Sequence, residues 1–357
     1  MTAALPPTDV AAALRRGVVI PAHPLALTDR RELDERRQRA LTRYYLDAGA
    51  GGLAIGVHTT QFAIREAGLY GPVLRLGIET ARAWTARPVA MIAGVAGRTD
   101  QALAEAETAR GLGYDAALLA LGALKGANED DLIRHCRTIA EAIPVFGFYL
   151  QPSVGGIALG RSFWRRLAAI ENVVAIKIAP FNRYHSLDVI HGVVEARAEE
   201  RIALYTGNDD HILLDLLCPV TVMRAGEPVR LRVVGGLLGQ WSVWTRTAVE
   251  ILERAHAAAA AGRVDCDLLA LDSMITDANA AIFDIANDFH GAIAGCHEVL
   301  RRQGLLDGIW CLDPDESLGP GQRDEISRVL RAYPHLSDDA FVAANRDRWL
   351  DGGPALA

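Results

Sequence analysis

Two lysines stand out among the basic residues of this 357-residue chain. Of its 37 lysine and arginine residues, only Lys125 and Lys177 are lysine. Arginine stays protonated and is a poor nucleophile, whereas a lysine amine can lose its proton and attack a carbonyl carbon. A genome rich in G and C favours arginine codons, and against that bias a retained lysine is a candidate for amine chemistry.

Lys177 lies in the apolar run VVAIKIAP, between two isoleucines. Burial disfavours an ammonium ion, so a lysine pKa that falls from about 10.4 to about 7 has lost roughly 4–5 kcal/mol of ammonium stabilisation. The neutral amine can condense with a ketone, and the resulting iminium accepts electrons when a C–C bond breaks or forms. The alternative is a structural lysine that reaches solvent or pairs with an acid, but position and rarity favour the nucleophile.

Three hydroxyl-bearing residues are candidates for the surroundings of this amine. Tyr149, in VFGFYLQP, can relay protons if it lies within hydrogen-bond reach, although packing is the alternative for a tyrosine there. Thr59 and Thr60, in IGVHTTQF, offer hydroxyls and successive backbone N–H groups, which suit a carboxylate. We therefore predict that Thr59 and Thr60 bind substrate.

The segment TGNDDH contributes further candidates. Gly207 and Asn208 are predicted to line the substrate pocket. Asp209, Asp210 and His211 are interpreted as the opening of a helix, because Asn and Asp are frequent helix caps.

Short apolar runs recur along the first 240 residues, each followed by a longer amphipathic stretch. They begin at Gly17, Gly51, Pro88, Ala116, Pro144, Val173, Ile202 and Leu231. Such runs are typical of parallel strands buried on both faces. Eight in succession predict an α/β protein, a (β/α)₈ TIM barrel over residues 1–263 with a short N-terminal extension, and a doubly wound sheet is the rival. The candidate residues would lie at the carboxyl ends of its strands.

The remainder of the chain differs in pattern. Strand signals stop near residue 264, and residues 264–357 are predicted to form a C-terminal helical region. The stretch 219–230 is longer than a typical loop and predicts a hairpin or an interface insertion. The glycines in VVGGLLG have two possible roles, which remain open: they can bind a phosphate, or they can allow the close backbone approach by which the last strand closes the barrel.

Bulk properties point to small-molecule substrates. The net charge is −7 with both signs interspersed, which argues against nucleic-acid or membrane partners. Five dispersed cysteines indicate no disulfide framework, His23 has no neighbouring histidine to share a metal, and no run is long enough to span a bilayer. We expect a cytoplasmic enzyme without a metal or other cofactor.

Four segments, in this order, resemble motifs of the dihydrodipicolinate synthase and N-acetylneuraminate lyase family: GVHTTQF, YLQPSVGG, VVAIKIA and GNDD. The resemblance covers roughly residues 17–305. It implies a class I aldolase or lyase in which Lys177 forms a Schiff base with pyruvate or another 2-oxo acid, Tyr149 relays protons, and Thr59 and Thr60 hold the carboxylate. It also implies an aldehyde as second substrate and a homo-oligomer, either a dimer or a tetramer.

Two departures from the family pattern narrow this expectation. Val154 stands where members that make dihydrodipicolinate carry an arginine, and ALGALKGANED lacks the tyrosine that follows their fourth strand. True dihydrodipicolinate synthase activity is therefore not expected. Two alternatives remain open, namely a sugar-acid dehydratase or hydratase that uses the same imine, and a catalytically idle barrel that binds a metabolite.

Overall fold

A computed structural model describes residues 3–353, and its centre is an eight-stranded parallel barrel. The strands are β1 (Val19–Pro21), β2 (Gly52–Ile55), β3 (Ala90–Val95), β4 (Ala116–Leu119), β5 (Val145–Leu150), β6 (Val173–Ala179), β7 (Ala203–Thr206) and β10 (Val233–Leu238). Neighbours pair in parallel in the order β1-β10-β7-β6-β5-β4-β3-β2, and a bridge between Ala22 and Ala54 closes the ring. The predicted TIM barrel is confirmed, and each of the eight apolar runs contains a strand.

Helices cover the outside of the barrel. They are α2 (Glu35–Asp47), α3 (Tyr70–Trp84), α4 (Thr99–Leu112), α5 (Glu129–Ala142), α6 (Arg161–Ala168), α7 (Arg183–Glu195) and α8 (Ile212–Leu217). In α5 the Asn128 side chain accepts a hydrogen bond from the Asp131 amide, which satisfies one free N–H of the first turn. The same helix buries Leu132, Ile133 and Ile139, so one apolar stripe holds it against the strands.

The stretch predicted as a hairpin or an insertion is an antiparallel hairpin of β8 (Val220–Arg224) and β9 (Glu227–Leu231). The C-terminal region is helical, as predicted. It consists of α10 (Cys266–Ile282), α11 (Ala292–Arg302), α12 (Gln322–Ala332) and α13 (Asp339–Asp351). The helix α9 (Thr245–Ala261) precedes this region and packs against β1 and α8 of the barrel.

The last helix returns to the wall of the barrel. Trp349 on α13 is completely buried, and its indole N–H donates to Asp47 at the end of α2 over 2.7 Å. Just before α13, the Asp338 carboxylate accepts hydrogen bonds from the Tyr44 hydroxyl and the Arg246 amide, both over 2.7 Å. The tail is thereby fixed to α2 and α9 by buried contacts.

The amino-terminal helix α1 (Thr8–Arg16) closes the end of the barrel opposite the carboxyl ends of the strands. Val10 and Leu14 pack in the same cluster as interior residues such as Ile20, and the Tyr205 hydroxyl donates to the Leu14 carbonyl over 2.8 Å. The open end is therefore the one formed by the carboxyl ends of the strands. Within residues 3–353 no helix has the length and apolar character needed to cross a membrane.

Candidate active site

A cleft of roughly 700 Å³, part of it open to solvent, lies at the carboxyl ends of the strands. This is where TIM barrels place their active sites. Residues from the strand ends form its floor, and residues from α11 and from the segment between α10 and α11 form part of its wall. The lining comprises Ala22, Val57, His58, Thr59, Leu118, Phe148, Leu150, Gln151, Val154, Lys177, Ala179, Phe181, Gly207, Asp209, Gly239, Phe283, Phe289, Ala292 and Ile293.

Lys177 extends from β6 into this cleft, and its Nζ lies 4.5 Å from the ring centroid of Phe148. Burial lowers the pKa of Lys177 to about 8, while the charge of Asp209 acts in the opposite direction. Gly207 gives the side chain its space, because a Cβ at that position would lie 2.4 Å from Lys177 Cε. The amine is therefore available in its neutral form close to neutral pH.

Asp209, which the sequence suggested as part of a helix opening, also lines the cleft. Burial raises the pKa of its carboxyl to about 7, and the charge of Lys177 partly offsets that rise. Its Oδ1 is buried and has no hydrogen-bond partner among residues 3–353. An unpartnered carboxylate oxygen beside a lysine amine can accept a proton from a bound substrate.

Tyr149 does not face the cleft, which corrects its expected placement beside Lys177. Phe148 pairs with Lys177 across β5 and β6, and Tyr149 pairs with Ile178. Successive strand residues point to opposite faces, so Phe148 faces inward and Tyr149 faces the surrounding helices. The Tyr149 hydroxyl accepts a hydrogen bond from the Leu159 amide over 3.2 Å, and its ring packs 5.0 Å from that of Trp164.

Both predicted threonines lie at the end of β2, but their hydroxyl hydrogens are already used. The Thr59 hydroxyl donates to the Ala22 carbonyl over 2.8 Å, and the Thr60 hydroxyl donates to the His23 carbonyl over 2.6 Å. Thr59 lines the cleft, whereas Thr60 is fully buried behind it. In the part of the chain that the structure describes, the backbone N–H groups of His58 and Thr59 have no protein acceptor, so they remain available for an anion.

The two residues predicted from TGNDDH separate in the structure. Gly207 lines the cleft, but Asn208 is fully buried and does not reach it. The Asn208 side chain accepts from the Phe181 amide over 3.0 Å and donates to Asp215 over 2.9 Å. Asn208 is thus a positioning residue for the loop after β6, which corrects its predicted place in the pocket lining.

Other polar candidates have structural roles. His23 is fully buried, and its ring nitrogens lie 2.8 Å from the Pro24 carbonyl and 2.9 Å from the Thr42 hydroxyl. A Cβ on Gly235 would lie 2.6 Å from the Val18 carbonyl oxygen, so this glycine serves the closure of the barrel between β10 and β1. Residues 3–353 contain no group of three His, Cys, Asp or Glu side chains arranged to hold a metal ion.

The family model described as "Dihydrodipicolinate synthetase family" matches residues 17–220, which is more than half of the chain. The chain belongs to the dihydrodipicolinate synthetase family. Members of the family are Schiff-base pyruvate aldolases and lyases, and the matched segment contains both Lys177 and the motif at the end of β2.

Individual members of the dihydrodipicolinate synthetase family are distant from this chain. The 4-hydroxy-tetrahydrodipicolinate synthase of Halorhodospira halophila is 27% identical over 203 residues, which cover 56% of this chain and 65% of that enzyme. The match thus spans less than two thirds of this curated relative's length.

Solved structures of the same family share the fold over most of this chain. The dihydrodipicolinate synthase of Acinetobacter baumannii in complex with pyruvate aligns with a TM-score of 0.72 at 21% identity and covers 91% of this chain and 99% of that one. The N-acetylneuraminate lyase of Fusobacterium nucleatum aligns with a TM-score of 0.70 at 16% identity and covers 90% and 99% of the two chains.

Sequence reasoning missed several residues that line the cleft. Asp209 follows the carboxyl end of β7, and that position alone was a signal for an active-site residue. The interpretation as a helix start was preferred because aspartate is frequent there. Phe181, Phe283 and Phe289 gave no such signal, because isolated aromatic residues in loops and helix ends are ordinary packing residues.

Proposed function

We propose that this protein is a class I lyase or aldolase in which Lys177 forms a Schiff base with pyruvate or a related 2-oxo acid. The observation that carries the proposal is an amine with a pKa lowered to about 8, at the mouth of a barrel from a family of imine-forming enzymes. A neutral amine in that position can attack a ketone carbon at physiological pH.

Imine formation begins when the Lys177 nitrogen bonds to the C2 carbon of the 2-oxo acid. The carbonyl oxygen takes up protons and leaves as water, and the nitrogen becomes an iminium cation. The Phe148 ring, 4.5 Å from Nζ, presents its electron-rich face to that cation and favours it by roughly 1 kcal/mol. Phe148 has no proton to transfer, so another group must serve the acid–base steps.

In the cleavage direction, Asp209 accepts the proton of a hydroxyl on C4 of the bound chain. The C3–C4 bond then breaks, its electrons move to the iminium nitrogen to give an enamine, and an aldehyde leaves. Protonation of the enamine at C3 and hydrolysis of the imine release pyruvate and free Lys177. A carboxylate whose pKa is raised to about 7 suits this exchange, because it can both accept and return a proton near neutral pH.

The substrate carboxylate is assigned to the turn after β2. The backbone N–H groups of His58 and Thr59 can donate to it, whereas the hydroxyls of Thr59 and Thr60 are engaged with backbone carbonyls. Successive N–H groups in such a turn form a concave site for an anion. Of the hydroxyls and backbone N–H groups that the sequence offered for a carboxylate, we assign the role to the N–H groups.

Reductive trapping tests the proposal. The protein is incubated with pyruvate and borohydride, digested, and searched by mass spectrometry for a reduced pyruvate adduct. We expect the adduct on Lys177, its loss in Lys177→Arg, and its retention in Lys125→Arg, which changes the exposed second lysine. The trapping rate should rise with pH to half its maximum at about pH 8. Absence of an adduct with pyruvate and a panel of 2-oxo acids would overturn the proposal.

A second candidate is a barrel that binds a 2-oxo acid without turning it over. The inward Phe148 favours this candidate, because the phenol expected for proton relay faces away from Lys177. An adduct that forms at Lys177 without any change of carbon skeleton or loss of water across an aldehyde and sugar-acid panel would establish it.

A further inference from the structure

The cleft beyond Lys177 is enclosed mainly by hydrocarbon. One wall consists of side chains from β5 and the turn that follows it, and the other consists of side chains after β6 and from the segment between α10 and α11. These residues are Phe148, Leu150, Val154, Phe181, Phe283 and Phe289. Such a surface favours apolar groups, because binding there removes their hydrocarbon surface from water.

The same walls offer little to a charged or polyhydroxylated substrate. Among the lining residues that the structure describes, Lys177 is the one cationic side chain, and Val154 occupies the place of the arginine expected in dihydrodipicolinate-forming relatives. A second carboxylate or a phosphate would be buried without a counter-charge, and sugar hydroxyls facing these walls would lose hydrogen bonds to water. Both losses oppose binding.

Two phenylalanines at the edge of the cleft have an unfavourable backbone conformation. Phe181 has φ 51° and Phe289 has φ 67°, a left-handed region that is rare and unfavourable for bulky residues. Hydrogen bonds hold both in place, from the Phe181 amide to Asn208 Oδ1 over 3.0 Å and from the Phe289 amide to the Asp284 carbonyl over 3.1 Å.

The two rings form a pair with 5.8 Å between their centroids, and both remain partly exposed. Both rings pack in part against the core, but each keeps part of its surface exposed and lines the cleft. Strained residues of this kind concentrate where a ligand is held.

We propose that the substrate carries an aryl or similarly bulky apolar group beyond its 2-oxo acid end, and that Phe181 and Phe289 bind this group. The inference rests on the proposed function, because Lys177 fixes the opposite end of the same molecule. An added aromatic ring would stack at the 4.5–7 Å centroid spacing that such contacts prefer.

Concentration-dependent trapping measures this preference. Pyruvate, 2-oxoglutarate and 2-oxo-4-phenylbutanoate are each titrated with borohydride present, and the half-saturating concentration of each is read from the adduct on Lys177. We expect 2-oxo-4-phenylbutanoate to saturate at a concentration at least about tenfold lower than the other two, since burial of a phenyl group contributes at least that factor. Equal half-saturating concentrations for all three overturn the inference and leave the proposed function intact.

Asparagine substitutions test the pair itself. Asparagine tolerates the left-handed region, so Phe181→Asn and Phe289→Asn remove a ring without adding backbone strain. Each should raise the half-saturating concentration of the phenyl compound about tenfold and change that of pyruvate less than about twofold. Tyr184→Asn, at an exposed aromatic outside the cleft, is the control and should change neither. Phenyl selectivity that survives both substitutions contradicts the role of the pair.

A ligand without a ketone separates this inference from imine chemistry. 4-Phenylbutanoate cannot form a Schiff base, so its binding by calorimetry depends only on the carboxylate site and the apolar walls. We expect it to bind at least about tenfold more tightly than butanoate, and this ratio to fall in Phe181→Asn and Phe289→Asn. If no 2-oxo acid is trapped, the proposed function fails, and the calorimetric ratio still decides whether the aryl site exists.

Discussion

Lys177 and Asp209 are two ionisable groups that burial drives toward neutrality. Burial lowers the pKa of Lys177 to about 8 and raises the pKa of Asp209 to about 7, and the charge on each partly opposes the change in the other. Both therefore titrate within about one pH unit of neutrality, where a nucleophile and a proton acceptor are both useful.

Asp209→Asn should separate imine formation from carbon–carbon chemistry. The carboxylate charge raises the pKa of Lys177, so its removal should move the half-maximum of the trapping rate below pH 8. Turnover in the cleavage direction should fall about 10²–10³-fold, because Asp209 is the one carboxylate among the described residues that line the cleft. Asp267→Asn, at an exposed position in the first turn of α10, is the control. A trapping profile unchanged by Asp209→Asn would contradict the electrostatic link.

The same pair should reduce the stability of the fold. The pKa of Lys177 is lowered from 10.5, so its penalty is complete below about pH 8 and disappears above pH 10.5. The pKa of Asp209 is raised from 3.8, so its penalty is complete above about pH 7 and disappears below pH 3.8. Between pH 7 and 8 both penalties apply.

Replacing both groups should therefore stabilise the protein in that window. The double variant Lys177→Met with Asp209→Asn should raise the free energy of unfolding at pH 7.5 by about 2 kcal/mol, and this gain should shrink at pH 10. Urea unfolding of the variant and the parent at both pH values provides the measurement. A variant less stable than the parent at pH 7.5 would show that the pair contributes net stability.

At the scale of elements, Gly207 after β7 leaves the space that the Lys177 side chain on β6 occupies. A Cβ on Gly207 would lie 2.4 Å from Lys177 Cε and 2.8 Å from Ala179 Cβ. Gly207→Ala should displace the amine and lower the trapping rate at least about tenfold, since a rise of about 1.4 kcal/mol in the activation free energy is sufficient for that loss. Gly111→Ala in α4, where a Cβ meets no atom within 4 Å, is the control and should leave trapping unchanged. Unimpaired trapping in Gly207→Ala would show that Lys177 has space to move.

The elements were predictable from the sequence, but the face of one strand was not. Eight apolar runs predict eight strands because strands buried on both faces are apolar throughout. That same property hides which residues face inward, and in β5 both Phe148 and Tyr149 suit either side. A shift of one position reverses every side chain, so the motif resemblance placed Tyr149 beside Lys177 while the strand register places Phe148 there.

The remaining part of the site depends on contacts between distant segments. Phe181 and Phe289 are more than a hundred positions apart in the chain, and no local periodicity connects a loop after β6 with the segment before α11. The backbone groups of the turn after β2 were predictable in kind, whereas the use of the threonine hydroxyls by the Ala22 and His23 carbonyls follows only from the packing of β1 against β2.

At the scale of the whole molecule, the buried carboxylate of Asp338 joins the start of the last helix to α2 and α9. Asp338 accepts hydrogen bonds from the Tyr44 hydroxyl and from the Arg246 and Thr247 amides, and the Thr247 hydroxyl adds a fourth. Asp338→Ala leaves these donors unpaired and should lower the free energy of unfolding by about 3 kcal/mol. Asp347→Ala, at an exposed position on the same helix, should change it by less than about 0.5 kcal/mol. Equal unfolding midpoints in urea for both variants would contradict this role.

Because α1 closes the end of the barrel opposite the carboxyl ends of the strands, the cleft that contains Lys177 opens at one end only. Substrates and products must therefore pass through the same opening, between the strand ends and the segment that joins α10 to α11. In the proposed cleavage the aldehyde is the fragment nearer this opening, so it leaves first. Pyruvate leaves after water has entered and hydrolysed the imine. The two products of the proposed cleavage are therefore released in a fixed order, the aldehyde before pyruvate.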